Sequence, residues 1–251
     1  VLEAVPLQCY PGFEHVSLNP CGELALSAYD SCRLIAINLS SFVEDAFGMN
    51  PTFMWDMFEK TVINAQRLSD DLIDLEREKL TQIIEMVDEQ DVKEIFKKLR
   101  SKAESGRRTG LGAFGLADML VKLNIQYGSE NAVELTKMVF ETFKNKAYES
   151  SSIMASERGS FPIFDFEKEK NNKFLLSLDK NVYDMISKVG RRNGALLTIS
   201  PTGSTGIVSR VSSGIEPIFM RAYHRNRKMT SDEIASGMKE DYIDSDGTKW
   251  T

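Results

Sequence analysis

Apolar residues recur along this chain in two rhythms. From Pro51 to about Glu76, Phe53, Met57, Ile63 and Leu68 follow the three-to-four-residue spacing of an amphipathic helix, and Pro51 suits a first helical turn. A second, heavily charged helix is expected from Glu78 to Ala103, ended by Gly106, and a third from Leu111 to Leu123. Ser129 and Glu130 open a long fourth helix that runs through Val133, Met138, Phe140 and Tyr148 to about Glu157, where Arg158 and Gly159 close it. FPIFDFEK reads as a loop with aromatic anchors, and a short helix is expected near Tyr183 to Val189.

Two stretches break the helical rhythm. Leu34 to Ile37, within CRLIAINLSSFV, and ALLTI, Ala195 to Ile199, are short apolar runs of the kind that form buried strands, and IEPIF, Ile215 to Phe219, reads as a further extended piece. Strands separated by long helical stretches imply parallel pairing under helical cover, hence a helix-rich α/β fold. So few strands cannot complete a barrel or a doubly wound sheet, so others are expected from elsewhere. With no repeat and no linker-like stretch, residues 1–251 read as a single partial domain.

Composition narrows the class. The 251 residues are 42% hydrophobic and 27% charged, the profile of a globular chain with a real core. No apolar run is long enough to span a bilayer, and VLEAVPLQCYPG lacks the basic start and apolar core of a signal peptide, so a soluble, cytoplasmic protein without a membrane partner is expected. A net charge of −6 gives no large attraction to nucleic acid, and the basic cluster YHRNRK, Tyr223 to Lys228, reads as a solvated face or an anion contact. Cys9, Cys21 and Cys32 are too few for a disulfide framework and show no zinc-binding spacing, so they matter as thiols if they matter at all.

Three short motifs carry candidate chemistry. GLGAFG, Gly110 to Gly115, matches the dinucleotide fingerprint by letter, but the preceding KAESGRRT cannot form the strand that fingerprint needs. Close helix packing is the expected role, with Gly112 and Gly115 forming a shallow groove and Leu111, Phe114, Leu116 and Met119 the buried face. SPTGSTG, Ser200 to Gly206, follows the ALLTI strand. Its hydroxyls and unpaired N–H groups would suit either a phosphate or an ordinary helix cap. NPCGE, Asn19 to Glu23, sets an amide, a thiol and a carboxylate within five residues, in a context that is also common turn chemistry.

Taken together, NPCGE, SCRLIAINLSSFV, RRTGLGAFGLADML, RRNGALLTISPTGSTG and SSGIEPIF closely resemble the catalytic chain of ribonucleotide reductases, in the same order and from about Asn19 to Lys228. The NPCGE form is most similar to the adenosylcobalamin-dependent class II enzymes. The resemblance implies the second half of a ten-stranded α/β barrel with the radical cysteine on an internal finger loop. It also implies radical reduction of ribonucleoside diphosphates or triphosphates. Cys21 matches the cysteine that becomes a thiyl radical and removes the 3′ hydrogen, Glu23 the base for the 3′-OH, and Asn19 the amide that binds the sugar hydroxyls. Cys32 matches one of the two thiols that supply the reducing electrons, and Pro201, Thr202, Gly203, Ser204 and Thr205 the loop that holds the substrate phosphates.

The implied cofactor is adenosylcobalamin, with no identifiable cobalt ligand in this sequence, together with an external dithiol of thioredoxin type. The implied partner is the upstream half of the barrel, which would bring the second redox cysteine. The same resemblance leaves a class I enzyme, with a metal-bearing small subunit, as a variant. A fragment that binds nucleotide without turnover stands as the reading from another class. Cys9 matches no functional cysteine. Arg33 and Ile35-Ala36 stand where the family commonly has Asn and Gly-Ser, which bears on substrate contacts but not on the match of Cys32.

Overall fold

The computed structural model describes residues 6–220, 222 and 226–251, and its contacts divide the chain into two compact units, Val1–Pro217 and Ile218–Thr251. Tyr223, His224 and Arg225 of the basic cluster lie outside the described residues.

The first unit begins with a small antiparallel hairpin, β1 (Ser17–Leu18) and β2 (Ala25–Leu26), followed by strand β3 (Leu34–Asn38). A second antiparallel pair, β4 (Val43–Glu44) and β5 (Thr52–Phe53), leads into the first long helix. That helix, α1, spans Trp55–Met86, so it starts later than Pro51 and runs through the break expected near Arg77. It continues because the buried stripe continues: Phe58, Val62, Gln66, Ser69, Ile73 and Leu80 keep helical spacing on one face. The break falls at Val87 to Glu89, and α2 (Gln90–Gly106) follows. Arg107 then caps α2 with a left-handed backbone, φ 41°, a conformation costly for a residue with a β-carbon.

The segment after it corrects the expectation for GLGAFG. Gly110–Phe114 forms strand β6, not the start of a helix, and pairs in parallel with β3 in the register Leu34↔Gly110 to Asn38↔Phe114. Residues 195–198 run parallel along its other edge: Thr109 N–H donates to Ala195 C=O (2.9 Å), Leu111 N–H to Leu196 C=O (2.8 Å) and Thr198 N–H to Leu111 C=O (3.1 Å). The ALLTI run is therefore extended and paired as expected, through a single bridge at Leu197. As the central member of three parallel segments, β6 is buried at all five positions, so it shows no polar alternation. Gly112 is required where it stands, because a β-carbon there would lie 2.2 Å from the Thr198 carbonyl oxygen.

Helix α3 (Leu116–Lys122) follows β6 directly, and the long α4 (Glu130–Arg158) begins as expected with the Ser129 hydroxyl accepting from Ala132 N–H. A single turn, α5 (Phe166–Glu169), precedes α6 (Lys180–Val189) and α7 (Gly203–Ser209). One apolar core joins Ile37, Leu111 and Ala113 of the strands to Phe58 and Val62 of α1, Leu116 and Met119 of α3, Val139 and Phe143 of α4 and Ile186 of α6. Burying it supplies the main driving force for the fold.

Polar groups of α1, the end of α2 and residues 192–193 form a largely buried network. Asp70 of α1 accepts from Arg107 (2.9 Å), Asn193 (2.8 Å) and Arg192 (3.2 Å), while Arg107 also pairs with Asp74. Asn193 in turn accepts from Gln66 and Ser151, which ties α1, α4 and the turn before residue 195 together. These ion pairs hold Arg107 in its left-handed cap, offsetting the backbone cost. A second buried pair, Arg191 with Glu169 (2.6 Å), lies against the rings of Phe161 and Tyr148.

The second unit holds α8 (Ser231–Ala235), opened by a capping box between Thr230 and Glu233, and the hairpin β7 (Tyr242–Ile243) with β8 (Lys249–Trp250). Arg227, from the expected basic cluster, pairs there with Glu233. Among the described residues, no helix is long and apolar enough to cross a membrane.

Candidate active site

The NPCGE motif forms the loop of the first hairpin. Its geometry follows from local chemistry: Gly22 takes φ +79°, which glycine allows freely, and donates to Asn19 C=O (2.9 Å). Asn19 N–H donates to Leu24 C=O (3.1 Å), and Leu24 N–H donates to the Asn19 side-chain oxygen (2.9 Å). Asn19 is thus partly a structural residue, since its oxygen holds the loop while its amide N–H groups have no partner among the described residues. Cys21 is exposed on this loop.

A cleft of about 500 Å³ opens beside it, between Cys21 and Glu23 of the loop, Leu34 and Ala36 of β3, and the turn formed by Ser200, Pro201, Thr202 and Thr205. Residues far apart in sequence and singled out separately, Cys21, Glu23 and the SPTGSTG turn, therefore share one cavity. One carboxylate oxygen of Glu23 is buried with no hydrogen-bond partner among the described residues. An unpaired buried acceptor is costly, so it fits a site built to receive a donor from a ligand. Glu23 also lines a second cavity of about 450 Å³ together with Gly22, Leu24 and the buried Arg108.

The SPTGSTG turn leads into α7. Thr202 is its left-handed N-cap (φ 50°), and its hydroxyl accepts from Gly214 N–H (2.8 Å) instead of capping the helix. Gly206 N–H returns to Thr202 C=O (2.7 Å), whereas the N–H groups of Gly203, Ser204 and Thr205 meet no acceptor among the described residues. Free N–H groups at a helix start are suited to an anion.

Cys32 stands next to this cleft but is not one of its lining residues. Its sulfur fills the space over Gly110: a β-carbon at that position would lie 2.1 Å from Sγ, with Leu34 and Thr198 at 2.9 and 3.1 Å. The first glycine of GLGAFG therefore makes room for a thiol, not for a pyrophosphate. Burial pushes the Cys32 thiol up to about 12, only partly offset by the guanidinium groups of Arg108 and Arg33, while Asp30 and Glu23 push it the same way as burial. Arg108 is held by Asp30 (2.7 Å) and Arg33 by Glu76, so both cations stay beside the thiol. Arg33 consequently serves as a buried strut between β3 and α1.

Cys9 donates to Pro6 C=O (2.9 Å) at an exposed position away from this cluster. Asp70, Asp71 and Asp74 form the one acidic cluster of metal-binding geometry among the described residues, and Arg107, Arg158 and Arg192 already neutralise it. Arg108 and Thr198 were not singled out from the sequence, and Gly110 was noted only as part of the GLGAFG motif, without its link to Cys32. A pair of glycines alternating with apolar residues in an uncharged run was the available sign of closely packed strands.

A loop-borne thiol, a carboxylate with an open acceptor and a helix start with free N–H groups thus lie around one cleft. The chain matches the ribonucleotide reductase barrel domain over residues 15–247, and it belongs to that family. It is 35% identical over 213 residues to the vitamin B12-dependent ribonucleoside-diphosphate reductase of Thermoplasma acidophilum, a match covering 84% of this chain and 23% of that protein. To the enzyme of the same name from Mycobacterium tuberculosis H37Rv it is 32% identical over 207 residues, 82% of this chain and 24% of that one. The ribonucleoside-diphosphate reductase subunit alpha of Chlamydia pneumoniae is 26% identical over 233 residues, 82% and 20% respectively. The chain thus spans about a quarter of the length of the curated relatives it matches.

Proposed function

We propose that this chain carries the radical half of a ribonucleotide reductase site, converting ribonucleotides to deoxyribonucleotides. The observation that carries the reading is the convergence of Cys21, Glu23 and the Ser200–Thr205 turn on one cleft. The substrate phosphates bind the free N–H groups of Gly203, Ser204 and Thr205 and the nearby hydroxyls. That places the ribose toward the hairpin loop, the finger of a barrel whose remaining strands complete the wall. A Cys21 sulfur radical removes the 3′ hydrogen, and the open Glu23 oxygen accepts the 3′-OH proton. The Asn19 amide donates to the sugar hydroxyls. With the 2′-OH lost as water, Cys32 and a second thiol supply two electrons and two protons and become a disulfide, which an external dithiol of thioredoxin type reduces; Cys21 returns its hydrogen to C3′ and Glu23 its proton to the 3′-oxygen, which restores the sulfur radical.

Adenosylcobalamin, the cofactor implied by the names of the vitamin B12-dependent reductases that this chain resembles, supplies the initiating radical when bound. This chain's part is to present the Cys21 sulfur on its exposed loop. The cofactor requirement extends from those relatives, and a nucleoside diphosphate substrate follows from the same names.

The test is deoxyribonucleotide formation from labelled ribonucleoside diphosphate. This chain is completed with the rest of the barrel and given dithiothreitol, with and without adenosylcobalamin, beside Cys21→Ser. Turnover that needs cobalamin and Cys21 supports the reading. Turnover that ignores cobalamin moves the radical source to a metal-bearing subunit. Nucleotide binding without turnover in the completed, folded protein leaves a binding role only.

A further inference from the structure

Thr198 occupies the space between the two thiols' surroundings. Its hydroxyl donates to the Glu23 carbonyl oxygen (3.2 Å), the one hydrogen bond among the described residues that joins the hairpin, residues 16–26, to the parallel strands. Its methyl carbon faces the Gly110 position that the Cys32 sulfur fills. Its own backbone is fixed, with N–H on Leu111 C=O (3.1 Å) and C=O packed against Gly112. Thr198 is itself buried, and with Gly22, Glu23 and Leu24 it lines the second cavity, so the bond stands at the wall of that cavity.

We infer that Thr198 is a positioning residue for the reaction: its hydroxyl sets the height of the Cys21–Glu23 loop above the strands, and its methyl closes the Cys32 pocket. The inference rests on the chemistry proposed above. Burial of Leu24 and Ala25 seats the hairpin, and the Thr198 bond is the directional contact that fixes the height of its loop. Misplacement of the reacting groups on that loop lowers the chemical step more than it lowers binding. Threonine is suited to both tasks, since serine keeps only the hydroxyl and valine only the branch.

The experiment compares Thr198→Val and Thr198→Ser with the parent in the complete reductase. It uses steady-state kinetics and amide exchange of the Asn19–Leu24 segment. Loss of one neutral hydrogen bond predicts about 5- to 10-fold lower kcat for the valine variant, KM within about twofold, and a similar acceleration of exchange in the loop. Thr198→Ser restores both, and its Cys32 alkylates faster because the pocket has lost its methyl wall. If valine folds poorly, Thr198→Ala is read in its place by the same measurements.

Valine kinetics and loop exchange equal to the parent's overturn the inference while leaving the proposed reaction intact. Equal losses in the valine and serine variants, tracking their melting temperatures, also overturn it, since they mark a merely structural role. A parent enzyme without turnover defeats the reaction and Thr198's part in it; loop exchange then decides only whether Thr198 anchors the hairpin.

Discussion

Both oxygens of Asp70 are engaged by Arg107, Asn193 and Arg192, whereas one buried oxygen of Glu23 has no partner among the described residues. Pairing around the first carboxylate fixes the helices and the Arg107 cap. Openness around the second leaves acceptor and donor capacity for something that is not part of this chain. Stability and chemistry are therefore separable here, and substitutions should fall into two groups that move one without the other.

The largest effect tests the open site. On the proposed reaction, Cys21→Ser in the completed reductase should lower turnover by at least about 1,000-fold, because a hydroxyl replaces the thiol that reacts, with an unchanged melting curve because the thiol is exposed. Substantial residual turnover would place the chemistry elsewhere. Next comes the paired carboxylate: Asp70→Ala strips partners from buried guanidinium groups and should cost about 3–5 kcal/mol in urea unfolding. Glu23→Gln then sharpens the contrast. It should cost about 100-fold or more in kcat, as expected for a lost general base, with little change in unfolding free energy. A large loss of stability instead would mean that Glu23 belongs with Asp70.

Gly110→Ala should destabilise the chain by about 1–3 kcal/mol through overpacking against the Cys32 sulfur, and alkylation of Cys32 should become faster as the thiol is pushed out. The smallest effect is on pH. Because folding raises the Cys32 thiol to about 12, the native state holds that proton more tightly than the unfolded chain does. Its contribution to stability is complete below the unfolded thiol's range and is lost as pH rises toward 12. Cys32→Ser should flatten that alkaline limb in unfolding titrations, and at pH 8 native Cys32 should alkylate far more slowly than Cys21.

The long helices were legible as elements, with Ser129 and Gly159 bracketing α4, but the buried face of α1 was not: Met57 and Leu68 of the expected stripe are exposed and Phe53 lies in β5, while Phe58, Val62 and Ile73 face the core. The strand Gly110–Phe114 was not legible, because burial at every position erases the alternation that identifies strands, and the following Leu116, Met119 and Leu120 extend a helical spacing backwards. The end of α1 was misplaced for a related reason, since charges at Glu76 to Lys79 look like a break although Leu80 continues the buried face. The candidate cleft was legible as separate motifs and their order. The shelter of Cys32 was not, because it depends on a register between strands more than seventy residues apart, Leu34 against Gly110.

The cavity over Gly110 also has an evolutionary consequence. Hydrogen in place of a side chain at position 110 makes room for the thiol at position 32, yet a β-carbon there would also meet Leu34 and Thr198 at 2.9 and 3.1 Å. A smaller residue at 32 therefore relieves only part of the constraint, and tolerance at 110 requires changes on more than one neighbouring segment.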